Sequence, residues 1–242
     1  MTLTIRSRAI QTVTLSFFRF DSWTQRAWAF TQMGLARSAM ARVPGIRFWK
    51  LCGSGIGEGF TPVPNTAVYA VLAVWDDFGD ARAGLEAPVF QRYRAHADED
   101  YTVFLNPTSS RGVWSGRSPF HPGEATDGPI AALTRATIKP QVALKFWGRV
   151  PNISNVIGAD PNVMFKIGIG EVPWLHQITF SIWPDAKTMA AFARRDGPHA
   201  QAIKAVREGD WFAEELYARF SVIDTRGTWE GRAPVPLQEY AA

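Results

Sequence analysis

The chain has 242 residues, 26 basic against 22 acidic side chains for a net charge of +4, and a globular balance of 46% hydrophobic to 20% charged residues. That composition excludes a disordered polymer and leaves room for a sizeable core. The charges form no run or stripe, so nothing marks a nucleic-acid-binding protein, although the positive balance suits loose contact with an anionic membrane. The single cysteine, Cys52, rules out an intrachain disulfide and favours a reducing compartment. Residues 1–10 lack the apolar segment of a secretory signal, and no window approaches the ~20 apolar residues that span a bilayer, so a soluble or peripheral protein is expected.

In chain order, residues 12–20 alternate as a strand, and Asp21 and Ser22 offer a cap for an amphipathic helix over 23–41 with Trp28, Met33 and Leu35 on its apolar face. Residues 45–52 read as a second strand, followed by a Gly/Pro-rich loop to Asn65 and a third strand over 66–75. A helix over about 80–98 is interrupted at Pro88, and residues 101–105 close the unit as a fourth strand. The order βαββαβ is the ferredoxin-like plan.

The second half repeats the first. Arg19, Phe30 and Lys50 recur at one common spacing as Arg135, Phe146 and Lys166, and Tyr101 and Phe104 recur at the same spacing as Tyr217 and Phe220. One deletion later, Arg111-Gly112-x-Trp114-x-Gly116 returns as Arg226-Gly227-x-Trp229-x-Gly231. Trp75 pairs with Trp183 and Pro88 with Pro198 at a shorter spacing, as a longer loop in the first copy requires. The reading is α+β: two tandem ferredoxin-like repeats, 11–114 and 130–231, joined by a linker at 115–129 and followed by a loose tail at 232–242. Two such units cover their open sheet faces by meeting in a dimeric α+β barrel within one chain, with the space between the sheets as the natural pocket.

The run Gly53-Ser54-Gly55-Ile56-Gly57-Glu58-Gly59 leads towards another strand and opens no helix, so it is not a dinucleotide fingerprint; bends or close backbone approach account for its glycines. No hydrolase triad or zinc-ligand spacing is present. Cys52 reads as a buried structural cysteine in preference to a thiolate ligand to haem iron. Of the four histidines, His121 falls in the linker and His96 ends a helix. His176 shares a strand face with Trp174, Ile178, Phe180 and Ile182. His199 follows Pro198 in a helical first turn, where the dipole keeps an imidazole neutral and able to bind a metal; core packing stays open as its alternative.

The blocks Phe17-Phe18-Arg19-Phe20, Arg47-Phe48-Trp49-Lys50 with Gly53-Ser54-Gly55, Leu133-Thr134-Arg135-Ala136-Thr137, Phe165-Lys166-Ile167-Gly168-Ile169-Gly170-Glu171, Phe180-Ser181-Ile182-Trp183 and Trp211-Phe212-x-Glu214-Glu215-Leu216-Tyr217-Ala218-Arg219-Phe220 resemble the spheroidene monooxygenase family, the acyclic-carotenoid 2-ketolases of photosynthetic bacteria. The resemblance runs from about Thr12 to Gly231. It implies a haem-dependent monooxygenase that takes molecular oxygen and electrons from a reduced ferredoxin-type donor and converts spheroidene to its 2-keto product, spheroidenone. The implied place is the cytoplasm, peripheral to the photosynthetic membrane. His199 is then the expected axial ligand, with His176 and His96 as alternatives. Arg135 is a partner for a haem propionate, though its repeat mate Arg19 leaves a structural role open. Trp174, Phe180 and Trp183 line the carotenoid path or fill core. Competing readings are a haem barrel with peroxidase-like activity and a non-catalytic haem or carotenoid carrier.

Overall fold

The computed structural model describes residues 10–148, 160–193 and 209–236. Strand β1 (Thr12–Arg19) leads into helix α1 (Trp23–Leu35) and the single turn α2 (Arg37–Met40). Ser22 and Gln25 form a reciprocal capping box that fixes where α1 starts. Then come β2 (Ile46–Gly55), β3 (Pro64–Trp75), α3 (Phe78–Gly84), α4 (Pro88–His96) and β4 (Glu99–Gly112). The helix expected over 80–98 is two helices: Asp77 caps α3, and Pro88 opens α4 where its missing N–H costs nothing. The second half supplies β5 (Ile130–Ile138), α5 (Ala143–Trp147), β6 (Phe165–Gly170), β7 (His176–Trp183), α6 (Ala186–Ala193) and β8 (Phe212–Gly227). The helix expected to open at Asp196, with Pro198 and His199, lies outside the described residues.

Among the described residues, eight strands close into one antiparallel barrel in the order β1-β3-β2-β6-β7-β5-β8-β4. Closure leaves no free sheet edge. Alternation sends Val13, Leu15 and Phe17 inward on β1, and Ile178, Phe180 and Ile182 inward on β7. The outer faces are covered as well: Phe18, Val71 and Trp75 pack beneath α3 and α4 with Leu85, Phe90 and Tyr93, which is why β3 reads as a continuous apolar run. Polar residues on this covered face are paired, as where the Trp75 indole donates to Thr14 Oγ1 at 2.9 Å and Thr102 donates to Ser16 at 2.8 Å.

The space between the sheets, expected to be the pocket, is filled. Phe17 meets Phe165 at 5.2 Å, Phe180 at 6.0 Å and Trp229 at 5.9 Å between ring centroids, each contact worth about 1 kcal/mol beyond the area it buries. Both segments read as connector and tail contribute to this core: Phe120 packs on Trp114 and Phe220, and Val235 is buried beside them.

The glycines do what close backbone approach requires. A Cβ on Gly168 would stand 2.4 Å from the Gly59 carbonyl oxygen, and Gly59 itself holds a left-handed φ of +88°. The Gly168 N–H donates to Glu58 O at 2.7 Å, and Ser54 Oγ donates to Gly168 O at 2.8 Å. These contacts reinforce the β2–β6 seam, which is joined through Gly53 with Gly170 and Ser54 with Ile169.

Candidate functional site at one mouth of the barrel

Glu171, just past β6, organises a cluster of charges where the barrel opens. Its carboxylate accepts from Trp114 Nε1 at 2.6 Å and pairs with Lys50 Nζ at 2.7 Å. His176 Nδ1 stands 3.6 Å away and Arg135 Nη2 3.7 Å away. Burial alone would raise the Glu171 pKa, but His176, the Lys50 ammonium and the Trp114 N–H outweigh it and hold it at about 2. The carboxylate is therefore ionised at every physiological pH.

Arg135 is 1% exposed and lies over the Trp114 ring with its guanidinium on Glu214. Glu214 in turn accepts from the backbone N–H groups of Ser115 at 2.7 Å and Gly116 at 2.9 Å. Burial raises its pKa, and those N–H groups with Arg135 more than reverse the effect. Lys50 also donates to Ser115 Oγ at 2.6 Å. Two cations and two carboxylates are thus compensated inside the fold, which is the condition for keeping any of them there.

The opposite mouth is built on the same plan with a looser arginine. Glu99 accepts from the N–H groups of Glu230 at 2.9 Å and Gly231 at 2.8 Å, and Arg19 lies over the Trp229 ring. Arg19 stands directly opposite Glu99 in its ladder, whereas Arg135 stands opposite Leu216, with Thr137 taking the place facing Glu214. Arg135 is therefore two residues deeper, which explains why Arg19 keeps 28% of its side chain exposed.

Beside Glu171 a cavity of about 290 Å³ lies over the β2–β6 seam. Phe30 and Met33 of α1, Tyr69, Trp147, Ile169 and Trp174 give it apolar walls, and Glu171, His176 and Gln177 supply its polar groups. His176 Nδ1 and Gln177 Nε2 are buried without a hydrogen-bond partner. His176 Nδ1 still faces the Glu171 carboxylate at 3.6 Å, whereas Gln177 Nε2 has no such neighbour among the described residues. An unpaired buried amide costs free energy unless a ligand or water meets it, so Gln177 marks this cavity as a place for an oxygen-bearing group. Its volume is close to the lower end of the roughly 300–1,000 Å³ of small-molecule sites, and suits the end of an extended chain.

The residues singled out in the sequence are dispersed. Trp174 is a cavity wall, but it precedes β7 in a turn with a left-handed φ of 70°, where Trp147 Nε1 holds its carbonyl at 2.9 Å. Phe180 is sealed inside the barrel, and Trp183 packs on Phe192 of α6 on the outer face. His96 stacks on Trp28 with ring centroids 3.9 Å apart, away from the cavity. Cys52 is buried in the barrel, and burial drives its thiol pKa upward, against a thiolate ligand. The cluster of Lys50, Trp114, Glu171 and Glu214 was not anticipated. Its signal was available in β2, where a lysine occupies the inward phase between Phe48 and Cys52.

A closed antiparallel α+β barrel with a largely apolar cavity at its seam defines the class. Aldoxime dehydratase shares that fold at a TM-score of 0.59 with 10% identity, over 89% of this chain and 82% of that one. A second aldoxime dehydratase structure, with butyraldoxime, matches at 0.59 with 11% identity, over 90% and 82%. No protein-family model matches the chain. Curated relatives are far closer in sequence. The spheroidene monooxygenase of Cereibacter sphaeroides is 53% identical over 230 residues, covering 93% of this chain and 71% of the relative. Those of Rhodobacter capsulatus and Rubrivivax gelatinosus are 52% and 34% identical, over 91% and 86% of this chain and 94% and 80% of theirs. The chain belongs to the spheroidene monooxygenase family.

Proposed function

We propose that this protein is a monooxygenase that introduces a keto group at C-2 of an acyclic carotenoid, converting spheroidene to spheroidenone. The observation that carries the reading is identity above one half across nearly the whole chain to the Cereibacter and Rhodobacter relatives of that name. The cavity supports it: aromatic and aliphatic walls accept the end of a polyene, and the Gln177 amide can donate to an oxygen placed on it.

The reaction is two hydroxylations at one carbon. Each uses one O2, two electrons and two protons and releases one water, after which the geminal diol loses water to leave the ketone. The electrons come from a reduced ferredoxin-type donor. Haem is the proposed cofactor, and when bound it supplies oxygen activation. His199 remains the first candidate ligand. Among the described residues His176 is the imidazole on the cavity wall, with its Nδ1 turned to Glu171 at 3.6 Å. Arg135 is already balanced by Glu214 and Glu171, so its proposed part is to hold the cavity wall from behind, with a propionate contact second to that.

We propose also that the barrel is two βαββαβ units, 11–114 and 130–231, joined through 115–129, with 232–242 as the tail. The registers support this. The Trp114 and Trp229 turns match, as do Glu99 and Glu214, and β4 and β8 each skip one residue against the other, Thr108 and Ile223. Carried around the barrel, this match places Trp75 on Trp183 and closes with Gly53 paired to its own counterpart, Gly170. It also places Lys50 on Ile167, Arg135 on Phe17, His176 on Val68 and Glu171 on Ser54. Glu214 keeps its match in Glu99, but Lys50, Glu171 and His176 have no charged equivalents at the other mouth, as expected if one end of a duplicated barrel has acquired the chemistry.

Absorption spectroscopy of haem-reconstituted protein tests the cofactor. The expected result is a Soret band in the wild type and a changed ligand-field spectrum in His199→Ala. Absence of the band rejects haem, and a change in His176→Ala with none in His199→Ala moves the ligand to His176.

A further inference from the structure

We infer that α1, α2 and the Trp174 turn form the surface by which this protein lies on an anionic lipid bilayer, with the cavity opening into the membrane face. The inference deepens the carotenoid reading, since a water-insoluble polyene must be taken from a lipid phase, but its observations stand on their own. Trp23 is 80% exposed, Phe30 68% and Trp174 45%. Trp23 and Phe30 are seven residues apart on α1 and so share one stripe. Phe30 and Trp174 border the same cavity, which joins the helix to the turn across its opening. Large rings left in water around the mouth of an apolar cavity are the arrangement of an interaction site.

The charge around them names the partner. α1 and α2 carry Arg26 and Arg37, Arg42 follows, and residues 22–45 contain no Asp or Glu. Arg26 lies over the Trp23 ring, and one carboxylate that reaches α1, Asp98, is occupied by the Asp21 N–H and Gln25. Apart from Asp98 and the exposed Asp21 at the start of α1, no acid among the described residues offsets these cations. Cations alternating with exposed aromatic rings are what an anionic interface attracts, the rings entering the acyl boundary and the guanidinium groups meeting phosphate. No helix among the described residues is long and apolar enough to cross a bilayer, so α1 would lie along the surface.

Sedimentation with vesicles tests this without any turnover. Wild-type protein is expected to pellet with phosphatidylglycerol/phosphatidylcholine vesicles at low salt, to be released by high salt, and to stay in solution with phosphatidylcholine alone. Trp23→Glu puts a carboxylate at the first position of α1, which the helix dipole favours, so the fold is kept. Its affinity for the anionic vesicles should fall on the order of tenfold or more, and Phe30→Glu should do the same. A circular dichroism melt of each variant separates lost binding from lost folding. Wild type that ignores both vesicles, or folded variants that bind undiminished, overturns the inference. So does a concentration-dependent dimer abolished by Phe30→Glu in protein that binds no vesicle, which would assign the surface to a second copy of the chain. Vesicle binding in a protein that never oxidises spheroidene leaves this surface in place and removes the proposed activity instead.

Discussion

Glu171 is the residue on which the mouth depends, because Lys50 and Trp114 both end on its carboxylate. Glu171→Gln keeps the shape and leaves two buried cations facing one carboxylate, so a loss of about 3 kcal/mol in urea unfolding is expected. The pH dependence follows from the same contacts. The folded pKa is depressed to about 2, so the stabilisation is present above the unfolded carboxylate value of about 4.3 and is lost as pH falls from there towards 2. Acid titration of the unfolding midpoint should show that descent in the wild type and a flatter profile in Glu171→Gln; matching profiles would show that another carboxylate governs it. This residue could be read in the sequence only as the end of a glycine-rich block, since its partners come from three other segments.

Strand register separates repeat mates that spacing alone joins. Arg19 and Arg135 match in sequence, yet the ladders set Arg135 one pleat deeper, where it is buried. Arg135→Ala should cost about 3 kcal/mol, because it removes the buried cation paired with Glu214, whereas Arg19→Ala should cost under about 1 kcal/mol, as exposed pairs do; equal losses in denaturant titration would contradict the register argument. Lys50 and Lys166 show the same limit. A difference of one residue turns Lys50 inward to Glu171 and Lys166 outward to Glu58, because side chains alternate between faces. Strands and caps were legible because alternation and Ser22 act locally, and the close backbone approach expected of the glycines is what the seam between Gly59 and Gly168 shows. Gly168→Ala tests that last point, since its methyl would press on the Gly59 carbonyl. A fall of about 2 kcal/mol in stability is expected, and an unchanged melting temperature would show the seam able to part.

At the scale of the whole molecule, the α+β barrel was legible from repeated elements that each needed a covered sheet, while its filled interior was not. Side-chain volume decides that: Phe17, Phe165, Phe180 and Trp229 meet at the centre and displace the cavity to the β2–β6 seam. Trp183, read as lining the path or filling core, packs on the outer face of the sheet, as Trp75 does. The closed barrel thus supplies a rigid body, and Lys50, Glu171 and His176 distinguish one mouth. Incubation of the purified, haem-reconstituted protein with spheroidene, O2 and a reduced ferredoxin tests the central claim most directly. Chromatography with mass detection should find the 2-hydroxy intermediate and then the 2-keto product, with the ketone oxygen labelled from 18O2 when exchange with water is kept short. Recovery of unaltered spheroidene under reducing, oxygenated conditions, with the pigment bound to folded protein, would contradict the account and leave a carrier in its place.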